Sequence, residues 1–398
     1  MEIRVAQPDE RVAAFAPIWH YFGSPLGPDA ERTERMLVPD GRMHVATDGG
    51  SIVGSGGAFE LDLTVPGGQA RAAGVTVVGV LPTHRRRGVL RGLMRAQLDD
   101  VQARGEPLAV LWASEGGIYG RFGYGVASVC GDIALARAHA AFVKPAEWPE
   151  PARLVTAEEA GELFPAVYDR VRRVTPGMFA RSATWWEKRT LADSEWRRAG
   201  GGELAYAVLE RDGEPEAYAL YRLNLTYDEG VPTGKTVVVE AMGATSEATA
   251  AIWRYLLDID WMATVEATLL PVDHPLFLLL VEQSRMKFRV GDGLWVRLVD
   301  VGVALAARGY AEDGDVVFEV ADDFCPWNEG RYALDGEKTT AAPDLRLSVD
   351  ALGCVYLGGF TFAELLRAGR VEEVAPGAVA RADALFRTDL RPWCPEIF

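Results

Sequence analysis

The sequence predicts a mixed α/β protein built from three successive units. Short, nearly continuous apolar runs, such as Val75-Thr76-Val77-Val78-Gly79-Val80 and Leu108-Ala109-Val110-Leu111-Trp112, alternate with amphipathic stretches, as strands and helices do in a layered sheet. A proline-bearing stretch, Lys144-Pro145-Ala146-Glu147-Trp148-Pro149-Glu150-Pro151, interrupts that order and reads as a linker. The length, 398 residues, suits two to three domains.

Each element has its own signal. Residues 12–22 are apolar enough for a helix packed on a core. Residues 45–47 and 51–63 read as strands joined at Gly49-Gly50, and Gly54, Gly56 and Gly57 within the second predict a bulge. Residues 75–80 form a buried strand. A helix follows from about Arg86 to Val101, with Leu90, Leu93, Met94, Leu98 and Val101 on one face. Residues 108–112 form another buried strand. Beyond the linker come a helix at 157–174, strands at 204–209 and 217–223 joined by Asp212-Gly213, a strand at 236–240 and a helix at 247–257. This last pair repeats the order of residues 75–101 without its arginines or glycine, which suits either a duplication or two unrelated units. The third unit has strands at 294–299 and 316–320 and short helices at 303–308, 362–367 and 379–386. Residues 30–37 are a further expected helix.

Composition narrows the function. The formal net charge is −16. So acidic a surface does not grip a phosphate backbone, and nucleic acid is not an expected partner. Cationic small molecules and basic peptides are attracted. No run near either terminus approaches the roughly 20 apolar residues of a membrane-spanning helix. The opening Met1-Glu2-Ile3-Arg4-Val5 lacks the apolar segment of a signal peptide, so no membrane insertion and a cytoplasmic location are expected. Cys130, Cys325, Cys354 and Cys394 are scattered without a CxxC pair, which suggests neither a zinc site nor a disulfide framework.

The chemistry concentrates in Val80-Leu81-Pro82-Thr83-His84-Arg85-Arg86-Arg87-Gly88-Val89-Leu90, where a strand ends and a helix begins. A helix start offers unpaired N–H groups and the positive end of the dipole. It is therefore an anion site. Gly88 allows close approach to the backbone, and three arginines add charge. Together they indicate a pyrophosphate site; the alternative is a solvated basic turn. Gly234-Lys235-Thr236 is a faint P-loop, but Glu229 stands at its first-glycine position.

Arg85, Gly88 and Leu90 fall on the acetyl-coenzyme A pattern of the GNAT acetyltransferase superfamily, which this turn resembles; Leu90 stands where that pattern has a small residue. Downstream lies Leu111-Trp112-Ala113-Ser114-Glu115-Gly116-Gly117-Ile118-Tyr119-Gly120-Arg121-Phe122-Gly123-Tyr124-Gly125. With the upstream Pro82-Thr83-His84-Arg85-Arg86-Arg87-Gly88, this resembles the enhanced intracellular survival (Eis) family of actinobacterial acetyltransferases. The resemblance continues at Asp292-Gly293-Leu294-Trp295-Val296-Arg297, at Ala306-Ala307-Arg308-Gly309-Tyr310 and in the final phenylalanine. It implies tandem GNAT acetyltransferase-like domains followed by a sterol-carrier-protein-like domain: a catalytic domain at 1–143 binding acetyl-CoA, a degenerate GNAT-like domain at 152–289, and the carrier-like domain at 291–398. It also implies homohexamers that acetylate amines, notably of aminoglycosides, with acetyl-CoA as co-substrate and no metal.

The resemblance assigns roles. The strand edge at Val78, Gly79 and Val80 holds the pantetheine arm and polarises the thioester carbonyl. Arg85, Arg86, Arg87, Gly88, Val89, Leu90 and Arg91 surround the pyrophosphate, and Ser114 and Glu115 line the cofactor path. Tyr119 is the general acid, and the terminal carboxylate of Phe398 the general base. Read from the residues alone, Ser114-Glu115 is also a helix cap with a first-turn acid. Tyr119 is also an aromatic packed in a glycine-rich loop, with Tyr124 its competitor. The aromatic tail Arg391-Pro392-Trp393-Cys394-Pro395-Glu396-Ile397-Phe398 is expected to be ordered, and burial by the Trp393 and Phe398 rings to raise the carboxyl above its usual value of about 3.5. Glu396 is a candidate extra charge for a cationic substrate. His84 is expected to be structural or cofactor-adjacent, with His44 the other tempting base. The expected partner is a cationic amine. The alternatives are protein lysine acetylation, and a non-catalytic assembly binding acetyl-CoA or lipid.

Overall fold

The computed structural model describes residues 1–21, 23, 37–198 and 201–398, so the helix expected at 30–37 lies essentially outside the described residues. In chain order the first strands are β1 (Glu2–Val5), β2 (Met43–Asp48), β3 (Ser51–Val65), β4 (Gly68–Val80), β5 (Leu108–Trp112) and β6 (Gly125–Val126). They are followed by β7 (Val129–Ala136), β8 (Arg153–Val155), β9 (Leu204–Arg211), β10 (Glu214–Asn224), a small hairpin of β11 (Tyr227–Asp228) and β12 (Val231–Pro232), β13 (Gly234–Gly243), β14 (Met262–Pro271) and β15 (Arg289–Asp292). The last are β16 (Leu294–Leu298), β17 (Phe318–Ala321), β18 (Gly330–Tyr332), β19 (Leu345–Ser348) and β20 (Val371–Glu373). The helices used below are α1 (Arg11–Ala14), α2 (Ala16–Tyr21), α3 (Val89–Ala103), α4 (Ala157–Arg172), α5 (Ser246–Asp258), α6 (Val301–Ala307), α7 (Val349–Tyr356), α8 (Phe362–Arg367) and α9 (Ala378–Phe386). The chain packs as two units. One comprises Met1–Ser128, Gly293–Pro392 and Ile397–Phe398; the other comprises Val129–Asp292 and Trp393–Glu396.

The first unit is organised by a seven-stranded sheet in the order β1-β2-β3-β4-β5-β16-β6. Strands β1 to β4 are antiparallel neighbours, and β4 reaches its parallel partner β5 through α3. Helix α3 buries Val89, Leu93, Met94, Gln97, Leu98 and Val101. It begins at Val89 rather than near Arg86, because Arg86 (φ 61°) and Gly88 (φ 81°) are left-handed and a helix cannot propagate back through them. The bulge expected in β3 lies against β2, where Ala46↔Gly54 is followed by Thr47↔Ile52; a second lies in β4, which takes three steps from Gly79 to Thr76 against two of β3, with Val77 left-handed at φ 48°. The missing Cβ of Gly54 lets Val89 and Leu93 of α3 lie against the strand.

Strand β16 departs from expectation. It opens the third stretch of sequence but pairs antiparallel with β5, from Leu294↔Trp112 to Leu298↔Leu108. A strand as apolar as Leu108–Trp112 needs a neighbour on each side, and β16 supplies the second. The rest of that stretch forms a four-stranded sheet, β18-β17-β19-β20. One face of β17 buries Phe318, stacked on Phe362 at 5.5 Å and met edge-on by Phe386 at 5.8 Å. The other face carries Glu319, bonded to Arg331 and Arg346.

The second unit is a sheet in the order β15-β7-β14-β13-β10-β9-β8. Four antiparallel neighbours again lead to a parallel crossover, here β13-α5-β14. The shared topology answers the question the repeated strand-helix order left open: the two units carry the same plan. Helix α4 starts at a capping box in which Thr156 accepts from Glu159 N–H and Glu159 from Thr156 N–H. The four cysteines are all buried and reduced.

Arg42 and Glu106 of the first unit form an ion pair at 2.8 Å with each side chain 1% exposed. Removing one member leaves an uncompensated charge in the core. Glu106→Leu is expected to lower the unfolding free energy by about 3–5 kcal/mol, and adding Arg42→Met to recover most of the loss. Urea unfolding of the single and double variants checks both.

Candidate active site

Strands β4 and β5 pair only from Ala72↔Leu108 to Gly74↔Val110, although β4 runs on to Val80 and β5 to Trp112. On its other side β4 stays bonded to β3 as far as Val80↔Gly54. The backbone groups of residues 75–80 that face away from β3 therefore have no strand partner on the β5 side among the described residues. Such an edge seeks hydrogen bonds from whatever enters the opening. Val78, Gly79 and Val80 lie on it, past the left-handed Val77. Helix α2 rests on Gly79, where a Cβ would stand 3.0 Å from the Ile18 nitrogen. Tyr21, from the same helix, donates its hydroxyl to Val80 O at 2.5 Å.

The basic turn follows. Gly88 is the N-cap of α3 and brings no side chain to cap it, so the first-turn N–H groups of Val89, Leu90 and Arg91 face outward without a side-chain acceptor. Arg86 and Arg87 are exposed. Arg85 is engaged differently: its guanidinium lies 4.9 Å over the Tyr21 ring, and its Nε donates to the Tyr21 hydroxyl at 3.0 Å. The Leu90 side chain packs against the core, and its backbone lies in the turn. His84 lies 3.4 Å from Asp48 and 2.8 Å from Thr83 Oγ1, which suits the structural role expected of it. His44 is buried in β2, and that burial lowers its pKa, so it stays neutral.

Beyond β5, residues 113–119 form turns and Gly120–Phe122 a single 3-10 turn, so Ser114 caps no helix. Ser114 and Glu115 are exposed at the end of β5, and Glu115 O accepts from Ile118 N–H. Tyr119 is 7% exposed and meets Tyr124 edge-on at 5.9 Å. Burial, and then the charge of Glu115, push the Tyr119 phenol up to about 12, so it keeps its proton at any ordinary pH. Tyr124 is 1% exposed, and its hydroxyl has no partner among the described residues. Of the two, only Tyr119 keeps a surface to offer a substrate.

Phe398 is buried beside the same strand. Its ring meets Phe59 edge-on at 6.1 Å, and a Cβ at Gly74 would come within 3.3 Å of its Cε2. Gly74 is the last β4 residue paired with β5, so the C-terminal residue sits where the opening begins. Ala73 and Val75 point to the opposite face, into the cluster that holds Tyr119. Phe398 and Tyr119 thus flank β4 from its two faces.

Two tail residues differ from expectation. Trp393 belongs to the second unit, where its indole donates to Leu269 O and its N–H to Pro176 O. Glu396 is no open charge for a substrate: it lies 3.1 Å from Arg181 and accepts from the Trp185 indole at 2.9 Å.

Two contributors escaped the sequence reading. Tyr21 gave no signal beyond ending an apolar helix. Arg297 did give one, as a cation inside the buried run Leu294–Leu298. It is fully buried, donates to Asp322 at 2.6 Å and backs the Tyr119 loop so tightly that a Cβ at Gly123 would lie 2.5 Å from its Nη1.

Models of an acetyltransferase (GNAT) domain match residues 2–127 and 177–298, and a sterol carrier protein domain matches 301–395. The N-acetyltransferase Eis of Mycobacterium tuberculosis is 36% identical over 387 residues, 92% of this chain and 91% of its own length. The chain belongs to the Eis family of GNAT acetyltransferases. An uncharacterized N-acetyltransferase of Streptomyces avermitilis is 40% identical over 408 residues, covering 100% of this chain and 99% of its own. The crystal structure of Eis1 from Mycobacterium abscessus superposes with a TM-score of 0.87 at 34% identity, with full coverage of both chains. A GCN5-related N-acetyltransferase from Anabaena variabilis shares the fold at 19% identity and a TM-score of 0.84. The two GNAT domains and the carrier-like domain are therefore those of an acetyl-CoA-dependent N-acetyltransferase. Among the described residues no helix is long and apolar enough to cross a membrane.

An unpaired strand edge and an uncapped helix start suit a pantetheine arm and a pyrophosphate. Gly88→Ala forces a Cβ into the left-handed region at a cost of about 1–2 kcal/mol. If that cost is felt in the turn, coenzyme A affinity falls roughly tenfold by calorimetry. Gly105→Ala, also left-handed (φ 67°) but beyond the other end of α3, is the control expected to leave affinity unchanged.

Proposed function

We propose that this Eis-family enzyme acetylates primary amines of cationic small molecules, aminoglycosides among them, with Tyr119 as general acid and the Phe398 carboxylate as general base. The observation that carries this reading is the seat of Phe398 at Gly74, where parallel pairing ends, with the Tyr119 loop on the opposite face of the same strand. The net charge of −16 favours a cationic acceptor.

Acetyl-CoA, when bound, supplies an acetyl thioester. The β4 edge at Val78 to Val80 would take the pantetheine arm in strand-like hydrogen bonds. One of its N–H groups would point at the thioester oxygen, where negative charge develops. The N-terminus of α3 with Arg86, Arg87, Gly88, Val89 and Arg91 would hold the pyrophosphate, Arg85 would brace the turn through Tyr21, and Ser114 and Glu115 would border the path. An amine is a nucleophile only when neutral. The Phe398 carboxylate takes the nitrogen's proton as the C–N bond forms and the C–S bond breaks. Tyr119 Oη donates its proton to the leaving sulfur. A carboxyl of ordinary pKa, about 3.5, is a weak base, and the residue that carries it is seated by its ring against Phe59 and Gly74.

The test measures free-thiol release from acetyl-CoA with aminoglycosides, polyamines and lysine peptides. Turnover at several amines of one aminoglycoside, falling about 100-fold in kcat for Tyr119→Phe, is the expected result. Turnover confined to lysine peptides would assign the enzyme to proteins instead. Adding one glycine after Phe398 moves the carboxylate and is expected to abolish turnover while leaving coenzyme A affinity intact. Full turnover of the extended enzyme would overturn the carboxylate's role.

A further inference from the structure

The second unit contains an opening of the same construction as the first. Strands β13 and β14 pair in parallel from Gly234↔Met262 to Val238↔Ala267 and then stop, while β13 continues to Gly243 and β14 to Pro271. The adjoining helix start differs. Thr245 Oγ1 caps α5 by accepting from Ala248 N–H, and no left-handed glycine or arginine run precedes it, so no phosphate site remains. The opening is filled by the protein itself: the walls Val238 to Ala241 and Ala267 to Leu270 close on Trp393 and Pro395 of the C-terminal tail.

The tail is held like a bound ligand. Trp393 N–H donates to Pro176 O at 2.8 Å, and its indole donates to Leu269 O at 2.5 Å. Leu269 is left-handed at φ 58°, a conformation an L-residue adopts only where its surroundings demand it. Gly177 leaves room for the tail: a Cβ there would stand 3.0 Å from Trp393 O.

The charges make the same point. Arg181, with 1% of its side chain exposed, makes a two-pronged bond to Glu240 at 2.9 and 2.7 Å and lies 4.1 Å over the Tyr168 ring. Arg189, also buried, adds a second positive charge, and burial lowers its pKa. Glu396, 3.1 Å from Arg181 and 3.5 Å from Arg189, balances the second. Without the tail both guanidiniums lose this carboxylate, and breaking a buried ion pair is costly.

We propose that the disused cofactor cleft of the second GNAT domain is a docking site for the enzyme's own C-terminal tail. Trp393, Glu396 and Arg181 are positioning residues that fix the chain two residues before its terminal carboxylate. The positioning role rests on the reading of that carboxylate as the base; the docking does not.

Cys394, 1% exposed within the docked segment, reports on tail release. In the full-length enzyme, Glu396→Gln is expected to speed alkylation of Cys394 at least tenfold, located by mass spectrometry, with Cys130, Cys325 and Cys354 still protected. In the same variant kcat falls at least tenfold and coenzyme A affinity stays within twofold. Glu396→Asp restores part of both. Trp393→Phe, which removes the indole donor and part of the ring, shifts both readouts the same way by less and serves if Glu396→Gln fails to fold. Continued protection of Cys394 in both variants overturns the docking. A reactive Cys394 with unchanged kcat overturns the positioning role alone. Full turnover of the glycine-extended enzyme with Cys394 protected overturns the base instead, and the positioning role with it.

Discussion

Two strands that run side by side after they have stopped pairing leave a sheet with an open seam, and the site is arranged around that seam. Past Gly74 and Val110 there is no ladder between β4 and β5, so β4 shows hydrogen-bonding groups that a closed sheet would hide. The left-handed Val77 turns the exposed stretch, and Gly74, having no side chain, makes room for the Phe398 ring. The helix that follows β4 begins at a left-handed glycine with its first N–H groups uncapped. Strand edge, helix start and terminal ring all depend on pairing ending where it does.

The second unit shows what becomes of such a seam when its ligand changes. Its strands part in the same way, but Thr245 caps the adjoining helix start, and Trp393 and Pro395 lie in the gap. An unoccupied gap would expose unpaired backbone and take from Arg181 and Arg189 the carboxylate of Glu396. A ligand carried on the same chain prevents both at a high and constant effective concentration. In the docking proposed above the second cleft is thus not inert: with a capped helix start and no arginine turn, it serves as a receptor for a peptide.

How far this could be read from the sequence varies with the range of the interaction. Strands Leu108–Trp112 and Leu204–Arg211 and helix Phe362–Arg367 were legible because their apolar spacing is local. The basic turn was legible too, since arginines and glycine lie together in the chain, although the helix began later because Arg86 is left-handed. The placement of β16 was not legible: nothing within Leu294–Leu298 says that its neighbour is Leu108–Trp112. Glu396 was misread for the same reason. Its partners Arg181, Arg189 and Trp185 lie about 200 residues away, and an acidic residue near an end looks like surface charge until they are found.

The buried phenol constrains the proposed chemistry further. At about 12, Tyr119 is a weaker acid than a thiol, whose ordinary value is about 8.5. Complete transfer of its proton to a leaving thiolate is therefore uphill. What Tyr119 offers unaided is a hydrogen bond that strengthens as charge builds on sulfur. Lowering its pKa takes positive charge nearby, and Glu115, the one charge coupled to it, acts in the opposite direction. A cationic acceptor supplies that positive charge when it binds, and it also offsets Glu115. On this view the acceptor's remaining ammonium groups do more than bring it to an acidic protein. They prepare Tyr119 to give up its proton, so an acceptor with several amines is a better substrate than its reacting amine alone would be.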